Sequence, residues 1–246
     1  MILKGVIFDV DGTLADTEKQ GHLWAFNQAF RLWDLPFRWT SQEYGALLKI
    51  SGGKERLGYF LTRHPEYPRL SSNDIEEIYR IKTNLFKGRV RDGVLPLRPG
   101  VRSLIIQCQK EEIAVGIATT THYDNVEALL LRHFGPKWND LLGVIVAGDE
   151  VSKKKPDPSV YLDCLDRLDV KADEAVAIED SAIGLKAALR AGVRSIVTMN
   201  PWTYHQSFTG AMAVLTDLGT VGKPSYGKGP RGWGRYRISV DELRSW

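Results

Sequence analysis

Two cysteines in 246 residues are too few for a disulfide framework. Cys108 and Cys164, both in amphipathic stretches, are expected to be reduced and buried. No apolar run approaches the ~18 residues that a membrane span requires. A secretory leader is also missing, because residues 2–10 already read as a buried strand. These absences predict a cytoplasmic protein without a membrane partner. The charge balance shows no strong bias. Of the net +3, the Gly-rich segment after Gly219 supplies +4, from Lys223, Lys228, Arg231, Arg235, Arg237 and Arg244 against Asp241 and Glu242. No aromatic-and-basic motif accompanies it, so this segment (residues 219–246) reads as a solvated tail and not as a nucleic-acid surface. Gly52-Gly53-Lys54 is not a P-loop: no Gly stands five residues before Gly53, and no hydroxyl residue follows Lys54. The expected state is a monomer.

What the chain does contain is an ordinary globular balance, 43% hydrophobic and 26% charged, enough for one sizeable core and a smaller satellite. Continuous apolar runs occur at 3–10, 113–118, 144–147, 175–178 and 194–198, with a weaker one at 211–215. Such runs suit strands buried on both faces of a parallel sheet. Helical patterns at 100–110, 124–133, 158–168 and 181–191 alternate with them. The predicted fold class is therefore α/β, a doubly wound, Rossmann-like parallel sheet. Residues 16–94 break the rhythm: they hold no strand-like run. They carry helical spacing at 22–32, 41–50, 55–63 and 72–87, with Ser41 and Ser72 as capping residues. Pro36, Gly52-Gly53, Pro65, Pro68 and Gly93 punctuate them. This predicts a helical cap domain at 16–94, inserted into a core made of 1–15 and 95–246.

The most specific pattern is Val6-Ile7-Phe8-Asp9-Val10-Asp11-Gly12-Thr13. An apolar strand ends in two carboxylates two residues apart, which strand alternation aims the same way. The C-terminal edge of such a sheet is where ligands bind. Glu179-Asp180 is a second acidic pair directly after a strand. The two pairs together can converge on a hard, oxygen-preferring cation, Mg²⁺, with Asp9, Asp11, Glu179 and Asp180 as its metal residues. Taken alone, Asp180 or Ser181 would also serve as a plain helix cap. Thr119, Thr120 and Thr121 close another strand and offer hydroxyl and N–H donors for phosphate oxygens. In Lys153-Lys154-Lys155-Pro156 the proline stiffens the backbone behind Lys155, the lysine expected to point inward.

These four elements resemble, in residues and order, the phosphotransferases of the haloacid dehalogenase superfamily. They match at Asp9-x-Asp11-Gly12-Thr13, Thr119, Lys155 and Glu179-Asp180, and the resemblance spans nearly the whole chain. Ala15-Asp16-Thr17-Glu18, Gly21-His22, Ala25-Phe26-Asn27, Ser51-Gly52-Gly53-Lys54-Glu55-Arg56 and Ala118-Thr119-Thr120-Thr121 look more specifically like the CbbY group. Those are Calvin-cycle phosphatases that remove xylulose-1,5-bisphosphate, an inhibitor of Rubisco.

The resemblance implies a nucleophilic Asp9 that forms an aspartyl-phosphate, and an Asp11 that protonates the departing sugar oxygen. Mg²⁺ would be held by Asp9, the Asp11 carbonyl and Asp180, with Glu179 binding directly or through water. Lys155, Thr119 and the Thr120 amide would take up charge on the phosphoryl oxygens. Asp11 disfavours dehalogenase activity, because halide departs without a proton. For a small phosphorylated sugar, candidate binding residues are Glu18, His22, Gly53, Lys54, Lys82, Thr120, Thr121, His122 and Asn125, with Arg56 in support. Lys54 is the candidate for a distal phosphate, although Gly-Gly-Lys also serves as a simple helix connector. A β-phosphoglucomutase-like mutase and a phosphoglycolate phosphatase are the alternatives. A phospho-receiver module is disfavoured, because receivers lack both the insertion and Asp-x-Asp-Gly-Thr.

Overall fold

The computed structural model describes residues 2–246. Eight strands form one sheet in the order β3-β2-β1-β4-β5-β6-β7-β8. They are β1 (Gly5–Phe8), β2 (Ala114–Ala118), β3 (Val144–Val146), β4 (Ala175–Glu179), β5 (Arg194–Thr198), β6 (Ala213–Leu215), β7 (Ser225–Gly229) and β8 (Gly232–Tyr236). The first six pair in parallel, and β7 and β8 add antiparallel. β1 lies between β2 and β4, with Phe8 opposite Ile117 on one side and Ile178 on the other.

The absence of polar alternation in the strands has a direct structural cause. Val6, Phe8, Val115, Ile117, Val176 and Ile178 belong to one apolar cluster. Ile7, Ala118, Ala175 and Ala177 belong to another. Successive side chains point to opposite faces, and both faces are covered. The first cluster includes residues of α5 (Val101–Lys110), α6 (Tyr123–Phe134) and α9 (Val240–Ser245). The second takes in α7 (Ser159–Leu168) and α8 (Ala182–Arg190).

Between β1 and α5 the chain is helical. A π-helical turn at Glu18–Leu23 leads into α1 (Trp24–Leu32), followed by α2 (Ser41–Leu47), α3 (Gly53–Thr62) and α4 (Ser72–Arg91). These helices bury their own cluster, rich in aromatics: Phe26, Phe30, Trp39, Tyr44, Phe60 and Tyr79 among others. The side-chain amide of Asn27 fastens the loop after α1, donating to Trp39 O and accepting from Trp39 N, each at 2.8 Å. The two segments that connect this insertion to the sheet run side by side. Asp16 N donates to Pro96 O at 3.2 Å, and Arg98 N donates to Leu14 O at 3.0 Å.

Some boundaries differ from the sequence reading. Thr40 and Ser71, not Ser41 and Ser72, cap α2 and α4, each in a capping box closed by Glu43 or Asp74. α3 starts at Gly53, because Gly52 at φ +89° makes the turn into it. The expected solvated tail is instead a β-hairpin and a helix. Tyr236, Ile238, Val240 and Leu243 bury themselves in the core, while Tyr226, Lys228, Trp233 and Arg235 face outward. Four glycines in the ten residues of β7 and β8 conceal the strand pattern. No helix among the described residues is long and apolar enough to cross a membrane.

Candidate active site

Asp9 follows β1 at the carboxyl edge of the sheet and is buried. Lys155 Nζ, also buried, donates to Asp9 Oδ1 at 2.7 Å, to Glu179 Oε1 at 2.7 Å and to Ala118 O at 2.8 Å. Burial works against the lysine's charge, but Asp9 and Glu179 outweigh it and raise its pKa. Burial lifts Asp9 to about 7 against the pull of Lys155. All hydrogen bonds to its carboxylate fall on Oδ1 among the described residues, leaving Oδ2 unengaged. Asp180 is pushed upward by burial and then by the Asp9 and Glu179 carboxylates.

Asp9, Glu179 and Asp180 bring carboxylate oxygens within 4.8 Å of one another, all buried. Three such groups against one lysine leave negative charge uncompensated, and an all-oxygen set of this kind fits Mg²⁺. Their roles are not equal. Glu179 Oε1 already accepts from Lys155 and from the Tyr161 hydroxyl at 2.6 Å, and Oε2 accepts from Asp180 N at 3.3 Å. Asp9 and Asp180 are thus the freer donors, with Glu179 behind them. Two glycines make room. A Cβ on Gly184 would sit 1.9 Å from Glu179 Oε2, and one on Gly12 would sit 2.6 Å from Asp180 Oδ2.

Asp11 points toward the insertion. It accepts from Thr17 Oγ1 at 2.7 Å and contacts His22 Nε2 at 2.7 Å. Burial opposes its charge, but His22 and Thr17 prevail and hold it at about 2. On the far side of the imidazole, Lys82 Nζ lies 2.7 Å from Nδ1. A charged lysine can only donate, so Nδ1 accepts and Nε2 carries the proton that faces Asp11. Phe86 stacks on the His22 ring at 4.3 Å and fixes its plane.

One cavity of about 100 Å³ joins these groups, lined by Asp9, Asp11, Thr119, Thr120, Thr121 and Lys155 on the sheet side. Glu18, His22, Gly53, Arg56, Tyr79 and Lys82 line the insertion side. Thr119 Oγ1 accepts from Thr121 N at 3.2 Å, which keeps its proton available to a ligand.

A model of the haloacid dehalogenase-like hydrolases matches residues 6–198. The chain belongs to this family. Its CbbY character is equally plain. The plasmid-encoded CbbY protein of Cupriavidus necator is 41% identical over 99% of this chain and 96% of its own length. A CBBY-like protein of Arabidopsis thaliana is 38% identical over 87% of this chain and 69% of its own. A mutant CbbY from Rhodobacter sphaeroides, crystallised with xylulose-1,5-bisphosphate, superposes with a TM-score of 0.84. It is 41% identical over 89% of this chain and 98% of its own. A β-phosphoglucomutase from Clostridium difficile shares the fold at 21% identity and a TM-score of 0.71. This haloacid dehalogenase-like hydrolase is an enzyme, a phosphatase of the CbbY type.

Three residues expected to bind substrate do not line the hydrolase's main cavity, although Lys54 and His122 line a smaller one of about 40 Å³ that shares Gly53, Tyr79 and Thr120 with it. Lys54 Nζ turns to the surface and pairs with Glu76 at 2.9 Å. His122 caps α6, its Nδ1 accepting from Asp124 N at 3.2 Å, and lies 3.5 Å from Asp149. Asn125 is fully buried and donates to Thr121 Oγ1 at 3.1 Å, so it positions the threonine. α3 explains the first displacement: positions 54 and 56 lie about 200° apart on a helix. Arg56 therefore takes the cavity-facing place, held by Tyr44 Oη at 3.0 Å and by the Leu47 and Ile50 carbonyls. Sequence reasoning missed Thr17, Tyr44, Tyr161 and Asn200. Thr17 and Tyr44 touch Asp11 and Glu18 directly; Thr17 lies in the Ala15-Asp16-Thr17-Glu18 stretch but was given no role there, and nothing in the local sequence of Tyr44 distinguishes it from a core residue.

Proposed function

We propose that the protein is a magnesium-dependent sugar phosphatase that works through an aspartyl-phosphate on Asp9. Xylulose-1,5-bisphosphate is its proposed substrate, and the helical insertion acts as its cap. The observation that carries this reading is the cavity's two cationic ends. Lys155 stands beside the nucleophile, and Arg56 with Lys82 faces it from the cap. A sugar phosphorylated at both ends needs this arrangement. The sugar bisphosphate crystallised with the Rhodobacter relative supports it.

In this mechanism Asp9 Oδ2 attacks phosphorus while Lys155 and the Thr119 hydroxyl bind the phosphoryl oxygens. The Thr120 N–H, which has no partner among the described residues, supplies a further donor. Asp11 gives the leaving sugar oxygen a proton. Its resting pKa near 2 requires that proton to arrive from the Lys82–His22 pair, which shares one along Nζ···Nδ1 and presents another at Nε2. Asp11 then takes a proton from the water that hydrolyses the acyl phosphate. Asp9, Asp180 and the Asp11 carbonyl would hold magnesium, which would supply positive charge to let an anionic substrate approach the carboxylates. A cavity of about 100 Å³ is well below the roughly 300–1,000 Å³ usual for ligand sites. A shut cap accounts for this small volume, and it would part from the core to admit a sugar.

The test is a panel of sugar phosphates with Mg²⁺, including xylulose-1,5-bisphosphate, β-glucose 1-phosphate and phosphoglycolate, with released phosphate as the readout. The bisphosphate should give the highest kcat/KM. Arg56→Ala should lose roughly 10- to 150-fold on it, whereas Lys54→Ala should change it less than about threefold. Isomerisation of glucose 1-phosphate without phosphate release would establish a mutase instead.

A further inference from the structure

Trp202 stands on the turn that follows β5, yet it packs against the aromatic cluster of the cap. Its ring meets Tyr44 edge-on at 5.7 Å and 84°. Gly45 leaves space for it, since a Cβ there would lie 3.3 Å from Trp202 Cε3. On one side the indole lines the reaction cavity. On the other it lines a larger cavity of about 500 Å³, bounded by the connecting segments at Asp16–Gln20 and by Val94, Pro96 and Pro201. The half-buried Trp202, together with Glu18, which also lines both cavities, thus divides the reaction chamber from a wider, more apolar space behind it.

The base of the ring is fixed to the reaction centre. Trp202 N donates to Asn200 Oδ1 at 2.8 Å. The same buried amide donates through Nδ2 to Asp180 Oδ2 at 2.6 Å. From the far edge of the ring the contacts continue through Tyr44, whose hydroxyl donates to Glu18 at 2.5 Å and accepts from Arg56 at 3.0 Å. The position of the indole is therefore set jointly by an acid of the core and by the cap residues that face the substrate.

We propose that Trp202 is a specificity-determining partition: it closes the reaction cavity on the core side and makes tight binding depend on a substrate large enough to engage the shut cap. This rests on the sugar-phosphatase reading above. Without the indole the two cavities merge, and a sugar held between Lys155 and Arg56 loses the wall against which the cap presses it. A ligand that occupies only the phosphoryl end near Asp9 does not feel the change.

The experiment is titration calorimetry in an Asp9→Asn background, which binds without turnover, using xylulose-1,5-bisphosphate and inorganic phosphate as probes with Mg²⁺. Trp202→Ala should weaken the bisphosphate roughly 10- to 100-fold and inorganic phosphate less than about threefold. Trp202→Phe, which keeps an edge toward Tyr44, should restore the bisphosphate to within about fivefold. Equal weakening of both probes, or of neither, would overturn the partition. If the alanine variant does not fold, the comparison is made between Trp202→Leu, which should behave as the alanine is expected to, and Trp202→Phe. If the Trp202-containing protein binds a different sugar phosphate of the panel in preference, the substrate assignment falls. The partition is then decided by the same ratio measured with that ester.

Discussion

Lys82 is fully enclosed, its ammonium within 5.2–5.3 Å of the Phe26, Tyr79 and Phe86 ring centres and 2.7 Å from His22. Burial lowers its pKa from 10.5 to about 7. Below pH 7 the lysine is charged in both folded and unfolded chains, and the folded state bears the whole desolvation cost. Between pH 7 and 10.5 only the unfolded chain keeps the proton, so this penalty shrinks as pH rises. Lys82→Met should therefore raise Tm at pH 6 by about 2–8 °C, and the gain should fade toward pH 10. Its kcat/KM should drop at least roughly tenfold, because proton supply to Asp11 is impaired. Scanning calorimetry across that range checks the sign, and a gain that grows with pH would contradict it. Asp9, Asp11 and Asp180 were legible in the sequence because a carboxylate directly after an apolar strand adds nothing to the packing and needs a cation or a ligand nearby. The Lys54/Arg56 exchange was not, since both lie in one Gly-Gly-Lys-Glu-Arg run and only helical phase separates them.

At the scale of elements, Arg98 does what no local pattern announces. Nothing in Leu97-Arg98-Pro99-Gly100 marks out a role for it, yet it is buried. Its guanidinium donates to the Thr198, Met199 and Thr216 carbonyls at 2.7 Å each, and also to Gly12 O. It thereby ties the connecting segment to the motif turn and to the ends of β5 and β6. The four N–H groups of Nη1 and Nη2, held in a rigid planar fork, make this possible. Arg98→Met should leave those carbonyls unpaired and cost about 3–5 kcal/mol, a fall in Tm of roughly 6–20 °C by circular dichroism. A fall under 2 °C would mean that water substitutes for the fork. The strands were legible for the opposite reason: β1, β2 and β4 repeat one signal, unbroken apolar residues, on both faces. β7 and β8 lack it, because glycine removes the side chains that would alternate.

The whole molecule places its charged centre at a sheet edge and its apolar clusters away from it. Metal should therefore tune stability without being a condition of folding. Chelation is expected to abolish phosphate release while cooperative unfolding persists. Mg²⁺ at a hundred times its Kd should stabilise by about 2.7 kcal/mol, or roughly 5–11 °C in Tm. Loss of cooperative unfolding on chelation would make the metal structural. The helical run between β1 and α5 was foreseeable because about eighty residues without a strand-like run cannot belong to the sheet. Its Tyr44–Trp202 meeting with the core was not, since no sequence pattern records contacts between separate clusters.

The place of β1 between β2 and β4 also has a consequence in time. This strand carries Asp9 at its end, yet its neighbours begin only at Ala114 and Ala175. At a translation rate of about 5–20 residues per second, the apolar strand waits on the order of 5–20 s before the first of them exists. Through that interval the nascent chain holds a sticky, unpaired segment, while the helices that follow it in sequence can already assemble from local contacts. The strand that ends in Asp9 thus waits longest for a pairing partner, and slower synthesis should increase the chain's losses to aggregation.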